Sequence, residues 1–228
     1  MTVRTPPPFT WGLLLHPFAP WRLLRWRVAT AQVARAAFNA DTVGPFVPVG
    51  ARLLDVGAWD ARTTALFREE RGAEVLALDV VNATVQDVPF ALLDGATLPR
   101  ADGSVDAVTF LYVLHHAADD LALLREARRV LAPGGRVLVA EDLVETPIQR
   151  VLTVGFHVWL WMWTWMGWKG QFRRRSVWRE RFAAAGLRVE EERLLGPHLG
   201  KPLWPRNVLF VLSVQGDQSP APSTRVTT

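Results

Sequence analysis

Short apolar runs recur along the middle of the chain, and most of them end at a glycine or an aspartate. The runs are apolar throughout and lack the polar alternation of a strand that has one face in water. We expect a helix to join each strand to the next, so the pattern predicts a parallel sheet covered by helices on both faces. The five strands predicted in this way span residues 52–56, 74–78, 90–93, 105–112 and 136–140.

Helical spacing and end signals predict the elements between and after these strands. Gly72 is suited to end a helix, Asp119 or Asp120 to cap the start of another, and Pro133-Gly134 to form a type II turn. The predicted helices span residues 21–40, 61–71, 119–131 and 177–186.

Two further strands are predicted near the end of the chain, at 187–195 and 208–214. The glycines and prolines between them exclude a helix, so these two strands should be antiparallel neighbours. The predicted fold class is therefore α/β, with a doubly wound, mostly parallel seven-stranded sheet and an antiparallel last strand.

A chain of 228 residues suits one domain with short extensions. Residues 1–48 are predicted to form an N-terminal extension and helix, and residues 49–214 the main domain. A tryptophan-rich segment, at about 146–171, is predicted as a lid inserted into that domain. Residues 215–228 are polar and rich in Pro, Ser and Thr, which predicts a disordered tail.

Composition narrows the classes of site. The chain has no cysteine, which removes disulfides and thiolate metal ligands, and its five histidines lack a zinc-site spacing, so we expect no metal site. The net charge of +4 comes with no nucleic-acid-binding motif, so we expect no nucleic-acid partner. The N-terminus makes a poor signal peptide, which favours a cytoplasmic location and leaves peripheral membrane contact open.

Four predicted strand ends carry residues suited to a ligand. Gly57 follows the first strand, and Asp79 ends the second, 22 residues later, at the distance where an acidic side chain can accept both ribose hydroxyls. Asp94-Gly95 ends the third strand, and residues 111–116 end the fourth. Any one of these alone is typical of a turn. Because ligands of parallel sheets bind at the carboxyl ends of the strands, four together predict a binding site.

The ordered motifs resemble the class I S-adenosylmethionine-dependent methyltransferases of the small-molecule type, which have a Rossmann-like fold. The resemblance covers about residues 50–142 and continues into 172–187. Each motif alone is a weak signal of the family, whereas the order and spacing of the motifs together are specific to it. They are Leu53-Leu54-Asp55-Val56-Gly57, Asp79, Asp94 with Leu98-Pro99, residues 102–108, Val113-Leu114-His115-His116, Leu124-Arg125-Glu126 and residues 129–135.

The resemblance implies S-adenosylmethionine as the cofactor and assigns roles to the strand ends. It places Asp55, Gly57 and Ala58 beside the methionine part and Asp79 at the ribose. It places Asp94-Gly95 at the adenine, and Leu111 and Tyr112 near the sulfonium. The full predicted set of cofactor-binding residues is Asp55, Gly57, Ala58, Trp59, Asp79, Val80, Asp94, Gly95, Leu111 and Tyr112.

One departure from the family pattern lies in the loop after the first strand. The family has small residues at both positions that Trp59 and Ala61 occupy here. Trp59 either points away from the cofactor or packs on it in a slightly altered loop, or it obstructs a degenerate, non-catalytic site.

Two further sets of residues are candidates for the acceptor side. His115 or His116 could act as a general base for an oxygen or nitrogen acceptor, or the pair could only close the fourth strand. In the tryptophan-rich segment, Trp161 and Trp165 are predicted to bind an apolar acceptor as part of the lid. A helix resting on a membrane surface and an ordinary buried helix are the alternatives.

These patterns predict a methyltransferase that acts on a hydrophobic small molecule or lipid-like acceptor. The alternatives are a non-catalytic cofactor-binding protein with a regulatory or scaffold role, and a membrane-surface interaction protein. The acceptor, its accepting atom and the oligomeric state stay open at this point.

Overall fold

A computed structural model of the chain describes residues 19–164, 170–195 and 207–216. These residues contain one seven-stranded sheet with the strand order β3-β2-β1-β4-β5-β7-β6. The strands are β1 (Arg52–Val56), β2 (Glu74–Asp79), β3 (Phe90–Leu92), β4 (Val105–Leu111), β5 (Leu131–Asp142), β6 (Leu187–Leu195) and β7 (Asn207–Val214).

Strands β1 to β5 are parallel, and β7 runs antiparallel to both β5 and β6. The prediction of antiparallel neighbours at the end of the chain is therefore confirmed. The order of the strands reverses between β1 and β4, because β2 and β3 extend to one side of β1 while β4 and β5 extend to the other. Such a reversal opens a crevice at the carboxyl ends of the two strands.

Helices cover both faces of this sheet, as the apolar strands predicted. Helices α1 and α2 contribute Ala36 and Phe67 to the core on one face, and α3 and α5 contribute Leu124 and Trp178 on the other. The doubly wound fold is confirmed. The helices are α1 (Ala19–Val43), α2 (Arg62–Arg71), α3 (Asp120–Val130), α4 (Pro147–Thr164) and α5 (Arg175–Ala184).

The residues predicted to start α3 and to end α2 have these roles in the structure. Asp119 caps α3 by accepting a hydrogen bond of 2.9 Å from the Ala122 amide. Gly72 ends α2 in the left-handed conformation, with φ of 63°. Each satisfies polar groups that a helix end leaves without partners.

Two expectations about the sheet were wrong. Helices do not join all the parallel strands, because β2–β3 and β3–β4 are linked by residues 80–89 and 93–104, where the structure has no helix. The predicted turn at Pro133-Gly134 is present within the span of β5, since Gly134 has the left-handed φ of 76° that such a turn requires and the register on β4 shifts there. Strand β5 also extends to Asp142, two residues beyond its predicted end.

A long excursion leaves the sheet after β5 and returns at α5. Helix α4 forms most of it, and the Glu145 carboxylate accepts hydrogen bonds of 3.0 Å from both the backbone N–H and the Nε of Arg175. These bonds hold the two ends of the excursion together. No helix among the described residues combines the length and apolar character needed to cross a bilayer. The domain limits stay predictions, since residues 165–169 of the lid and 217–228 of the tail lie outside the described residues.

Candidate functional site

The predicted strand-end residues lie along one edge of the sheet. The strand order places Asp94, Asp79, Gly57 and Leu111 in sequence across the carboxyl ends of β3, β2, β1 and β4. Neighbouring strands are about 4.8 Å apart, so the row spans roughly 14 Å. The Leu93 amide donates to the Asp79 carbonyl at 2.8 Å, which joins the first two positions. An extended nucleoside with an attached amino-acid chain suits a row of this kind.

Gly57 opens the loop that follows β1. Its φ of 77° is a left-handed value, and a Cβ at this position would collide with the side chain of Val113. The amides of Gly57 and Ala58 both donate to the Leu78 carbonyl, at 2.8 and 3.0 Å. The loop therefore turns tightly against the end of β2, and glycine is required at its first position.

The departure from the family pattern at Trp59 leaves the loop, which includes Ala61, in a glycine-type conformation. The φ values of these two residues are 49° and 57°, in the left-handed region that side-chain-bearing residues rarely adopt. The Trp59 amide donates a 2.8 Å hydrogen bond to Oδ2 of Asp79. The loop and the predicted ribose-binding carboxylate are thus directly bonded to each other, and the indole of Trp59 is half-buried.

Asp79 keeps capacity for a ligand. Its Oδ2 accepts the Trp59 amide and its Oδ1 accepts the Val81 amide at 3.3 Å, while each carboxylate oxygen can accept a second bond. Val80 beside it is exposed, as are Asp94 and Gly95 on the neighbouring strand end. The carboxylates of Asp79 and Asp94 can accept hydrogen bonds from a ligand, and their places at the ribose and the adenine stay predictions.

Asp55 points into the interior of the domain. Only 2% of its surface is exposed, and its carboxylate accepts hydrogen bonds from the hydroxyls of Thr64 at 2.5 Å and Thr109 at 2.7 Å. Burial raises the pKa of Asp55, and the two hydroxyl bonds act in the opposite direction. These bonds join β1 to α2 and β4, and contact of Asp55 with the cofactor stays a prediction.

Tyr112 marks the end of β4. It adopts a left-handed φ of 59°, and its amide donates to the Ala140 carbonyl at 2.7 Å. The side chain is buried, which raises the pKa of the phenol. The Arg35 guanidinium lies 4.8 Å from the centre of its ring, so α1 reaches over this end of the site. Sequence reasoning missed Arg35, since helical spacing alone does not show what a helix covers.

His115 and His116 form the turn that follows Tyr112 and have different surroundings. His115 is buried, and its Nδ1 lies 2.5 Å from Oε2 of Glu141. The other oxygen of Glu141 accepts the Leu114 amide at 2.8 Å. Burial disfavours both charged forms, lowering the pKa of His115 to about 4 and raising that of Glu141 to about 8. His115 therefore carries no charge of its own at neutral pH, whereas His116 is accessible to solvent.

The structure adds a third histidine that sequence reasoning did not single out. His157, on α4, donates from Nδ1 to the Thr153 carbonyl at 2.8 Å, and its Nε2 lies 3.6 Å from Oδ2 of Asp142. Its ring centre is 5.3 Å from that of His115. The two residues are far apart in sequence, and only the packing of α4 over the ends of β4 and β5 brings them together.

Helix α4 divides into a buried and an exposed side. Thr153 and His157 are buried, whereas Ile148 and Val151 are 73% and 71% exposed. Together with Pro147 and Leu152, these apolar residues line a shallow surface cavity of about 250 Å³. Trp161 is a residue of α4, and Trp165 is outside the described residues.

Comparisons with known proteins agree with this geometry. Residues 54–139 match a family model described as a methyltransferase domain. A demethylmenaquinone methyltransferase of Corynebacterium efficiens is 40% identical over 104 residues, which are 43% of this chain and 44% of that protein. The chain thus spans less than half the length of this curated relative.

Solved structures show the same fold at low identity. An S-adenosylmethionine-dependent methyltransferase from Mesorhizobium loti has a TM-score of 0.60 and 18% identity, covering 78% of this chain and 99% of that one. The [4+2]-cyclase SpnF has a TM-score of 0.59 and 16% identity, covering 84% and 83%. Since one of the two is described as a cyclase, the fold alone does not set the reaction.

Proposed function

From the premise that residues 54–139 belong to the methyltransferase-domain family, within the class I S-adenosylmethionine-dependent fold, we propose that this chain transfers a methyl group to an apolar acceptor. The observation that carries the proposal is the row of Asp94, Asp79, Gly57 and Leu111 along the carboxyl ends of four adjacent strands. Ligands of doubly wound sheets bind at this edge, beside the reversal of strand order.

Each position in the row has a distinct task in this proposal. Asp79 accepts the ribose hydroxyls, and Asp94 accepts the exocyclic amine of the adenine. The Gly57 loop lies beside the methionine part, and Leu111 and Tyr112 border the reacting end. When bound, the cofactor supplies a methyl group made electrophilic by a positively charged sulfur. The chain therefore has to align the acceptor and exclude water.

The proposed acceptor is a hydrophobic, ring-containing molecule of the quinone-precursor class. Support comes from the relatives, which are named for demethylmenaquinone, and from the apolar residues exposed on α4 beside the site. Trp161 and Trp165 are proposed to line the acceptor cavity, because aromatic walls are usual in pockets for apolar molecules. The exposed face of Ile148 and Val151 is also suited to rest on the membrane that holds such an acceptor.

Cofactor binding is tested by titration calorimetry with S-adenosylmethionine. Asp79→Ala removes two charge-assisted hydrogen bonds of about 1.5–3 kcal/mol each, so we expect affinity to fall at least tenfold. Asp87→Ala is the matched control, since its carboxylate is exposed in the same inter-strand link, and it should bind like the parent. Equal affinity in all three proteins, with unchanged circular dichroism, would rule out the ribose role.

The acceptor is tested separately with demethylated menaquinone in detergent. We expect transfer of radioactive methyl to this molecule, and a large drop in transfer when Trp161→Ala and Trp165→Ala are combined. Cofactor affinity should stay that of the parent, because these residues are proposed to touch only the acceptor. Normal transfer by the double variant would show that the acceptor lies elsewhere.

A second candidate function is cofactor binding without transfer. It is favoured by the half-buried Trp59 in the loop where the family has a small residue. In that case Trp59→Gly should bind S-adenosylmethionine more tightly, because removal of the indole would open the pocket. Tighter binding together with newly gained methyl transfer would identify the natural chain as a non-catalytic member of its family.

A further inference from the structure

We propose that His115, His116 and His157 form a site for a divalent transition-metal ion of the zinc type. One ring nitrogen from each histidine lies within 4.8 Å of the corresponding atoms of the other two. The site goes beyond the proposed methyl transfer, which needs no metal. It lies at the carboxyl ends of β4 and β5, under α4, on the acceptor side of the predicted cofactor site.

His115 presents one nitrogen to the cluster. Its Nδ1 is engaged with Glu141, and within the described part of the chain its buried Nε2 has no hydrogen-bond partner. A buried polar atom without a partner costs about 1–3 kcal/mol, so its position calls for a ligand. With the shared proton on Nδ1, Nε2 has a lone pair that a metal ion could use.

His157 has a tautomer fixed by the backbone. Its Nδ1 donates to the Thr153 carbonyl, which leaves Nε2 with a lone pair. The distance of 3.6 Å from Nε2 to Oδ2 of Asp142 is too long for a hydrogen bond. It is close to the roughly 3.4 Å that separates two ligands of one tetrahedral ion with bonds of about 2.0–2.1 Å. The Asp142 carboxylate therefore lies beside the ring nitrogen that His157 offers to the ion.

His116 completes the set from the solvent side. The tight turn at Leu114–His116 brings two adjacent histidines together, with ring centres 4.1 Å apart. This geometry overcomes the usual difficulty that neighbours in sequence have in binding one ion. Binding one ion would bring the three nitrogens from within 4.8 Å to about 3.4 Å of one another by rotation of the side chains.

The surroundings resemble the support that metal-binding histidines have elsewhere. Glu141 bonds the far nitrogen of His115, and the Thr153 carbonyl bonds that of His157, as orienting partners do in zinc sites. The Phe172 ring packs 4.9 Å from His115 and 4.5 Å from His157, which gives the cluster an apolar wall.

The test titrates Zn²⁺ into protein stripped with a chelator, by calorimetry and by metal analysis after gel filtration. We expect one ion per chain and at least a 100-fold loss of affinity in His115→Ala and in His157→Ala. Phe172→Leu is the matched control, because it disturbs the same cluster while keeping every ligand, and it should bind Zn²⁺ within tenfold of the parent.

Cobalt gives a second measurement on the unmodified chain, so the test does not depend on variants that fold poorly. Co²⁺ bound by the three histidine nitrogens in tetrahedral geometry should show the intense visible bands of a tetrahedral ion. Absence of stoichiometric Zn²⁺ binding by the parent, or equal losses in Phe172→Leu and His157→Ala, would overturn the site. Titration with S-adenosylmethionine in the stripped protein separates this failure from failure of the proposed function.

Discussion

At the scale of the residue, the loop after β1 shows a glycine-type backbone path occupied by larger residues. Trp59 and Ala61 both have left-handed φ values, which cost about 1–2 kcal/mol for residues with a Cβ. The loop keeps this path because its amides are bonded to the Leu78 carbonyl and to the Asp79 carboxylate. The loop therefore keeps its conformation beside Asp79, although the strain in Trp59 and Ala61 lowers the stability of the folded state.

Glycine substitutions measure the free-energy cost of this backbone strain. Ala65→Gly, in α2, should lower the free energy of unfolding by about 1–2 kcal/mol through lost packing and greater chain entropy. Ala61→Gly loses the same methyl group and gains relief of the left-handed strain, so its cost should be smaller by about 1–2 kcal/mol. Both residues are fully buried, which matches the pair. Equal costs in urea unfolding would show that Ala61 is not strained.

Asp55 should make stability depend on pH. Burial raises its pKa above the ordinary value, so the folded state favours the protonated form. Stability from this group is therefore present at acidic pH and is lost as the pH rises through the folded pKa. We expect the stability of the parent, relative to Asp55→Asn, to fall as the pH rises from about 4, the ordinary pKa of an aspartate, through the raised pKa of Asp55. A difference between the two proteins that stays constant over this range would contradict the prediction.

At the scale of the element, two neighbouring aspartates at the start of α3 do different work. Asp119 caps the helix, whereas Asp120 is buried and forms ion pairs with Arg173, at 3.0 Å, and with Arg181. The second aspartate therefore joins α3 to α5 and to the segment before it. Both residues looked equivalent in the sequence, where either one could serve as the cap.

Alanine variants separate these roles. Asp119→Ala should cost about 0.5–2 kcal/mol of unfolding free energy, the usual value of a lost cap. Asp120→Ala leaves two guanidinium groups without their buried partner, and we expect a loss of about 3–5 kcal/mol. Chemical denaturation of the two variants side by side gives the comparison. A larger loss in Asp119→Ala would reverse the assignment.

Sequence patterns predicted the elements that local signals define, and they failed where pairing between distant segments decides. Gly72 and Asp119 mark helix ends by their own conformations and bonds, so they were predictable. The end of β5 was not, because Glu141 and Asp142 are held in the strand by pairing with Val208 and Asn207 of β7. His157 was missed for the same reason, since nothing near it in the chain shows that α4 packs beside His115.

At the scale of the whole molecule, the two predicted halves of the site come from different stretches of the chain. The cofactor row lies between residues 57 and 112, inside the segment that matches the methyltransferase-domain model. The proposed acceptor residues and His157 lie after residue 142, beyond that match. The match to the methyltransferase-domain model therefore covers the predicted cofactor residues and ends before the proposed acceptor residues.

The pair formed by Glu145 and Arg175 has a consequence for engineering and divergence. This pair closes the base of the α4 excursion. We therefore expect that the segment between the two residues can be replaced without unfolding the rest of the domain. Replacing residues 147–170 by a short Gly/Ser linker should leave a cooperatively folded protein with parental affinity for S-adenosylmethionine and no acceptor activity. Segments of other sequence, inserted between Glu145 and Arg175, should change which acceptor receives the methyl group in the proposed reaction.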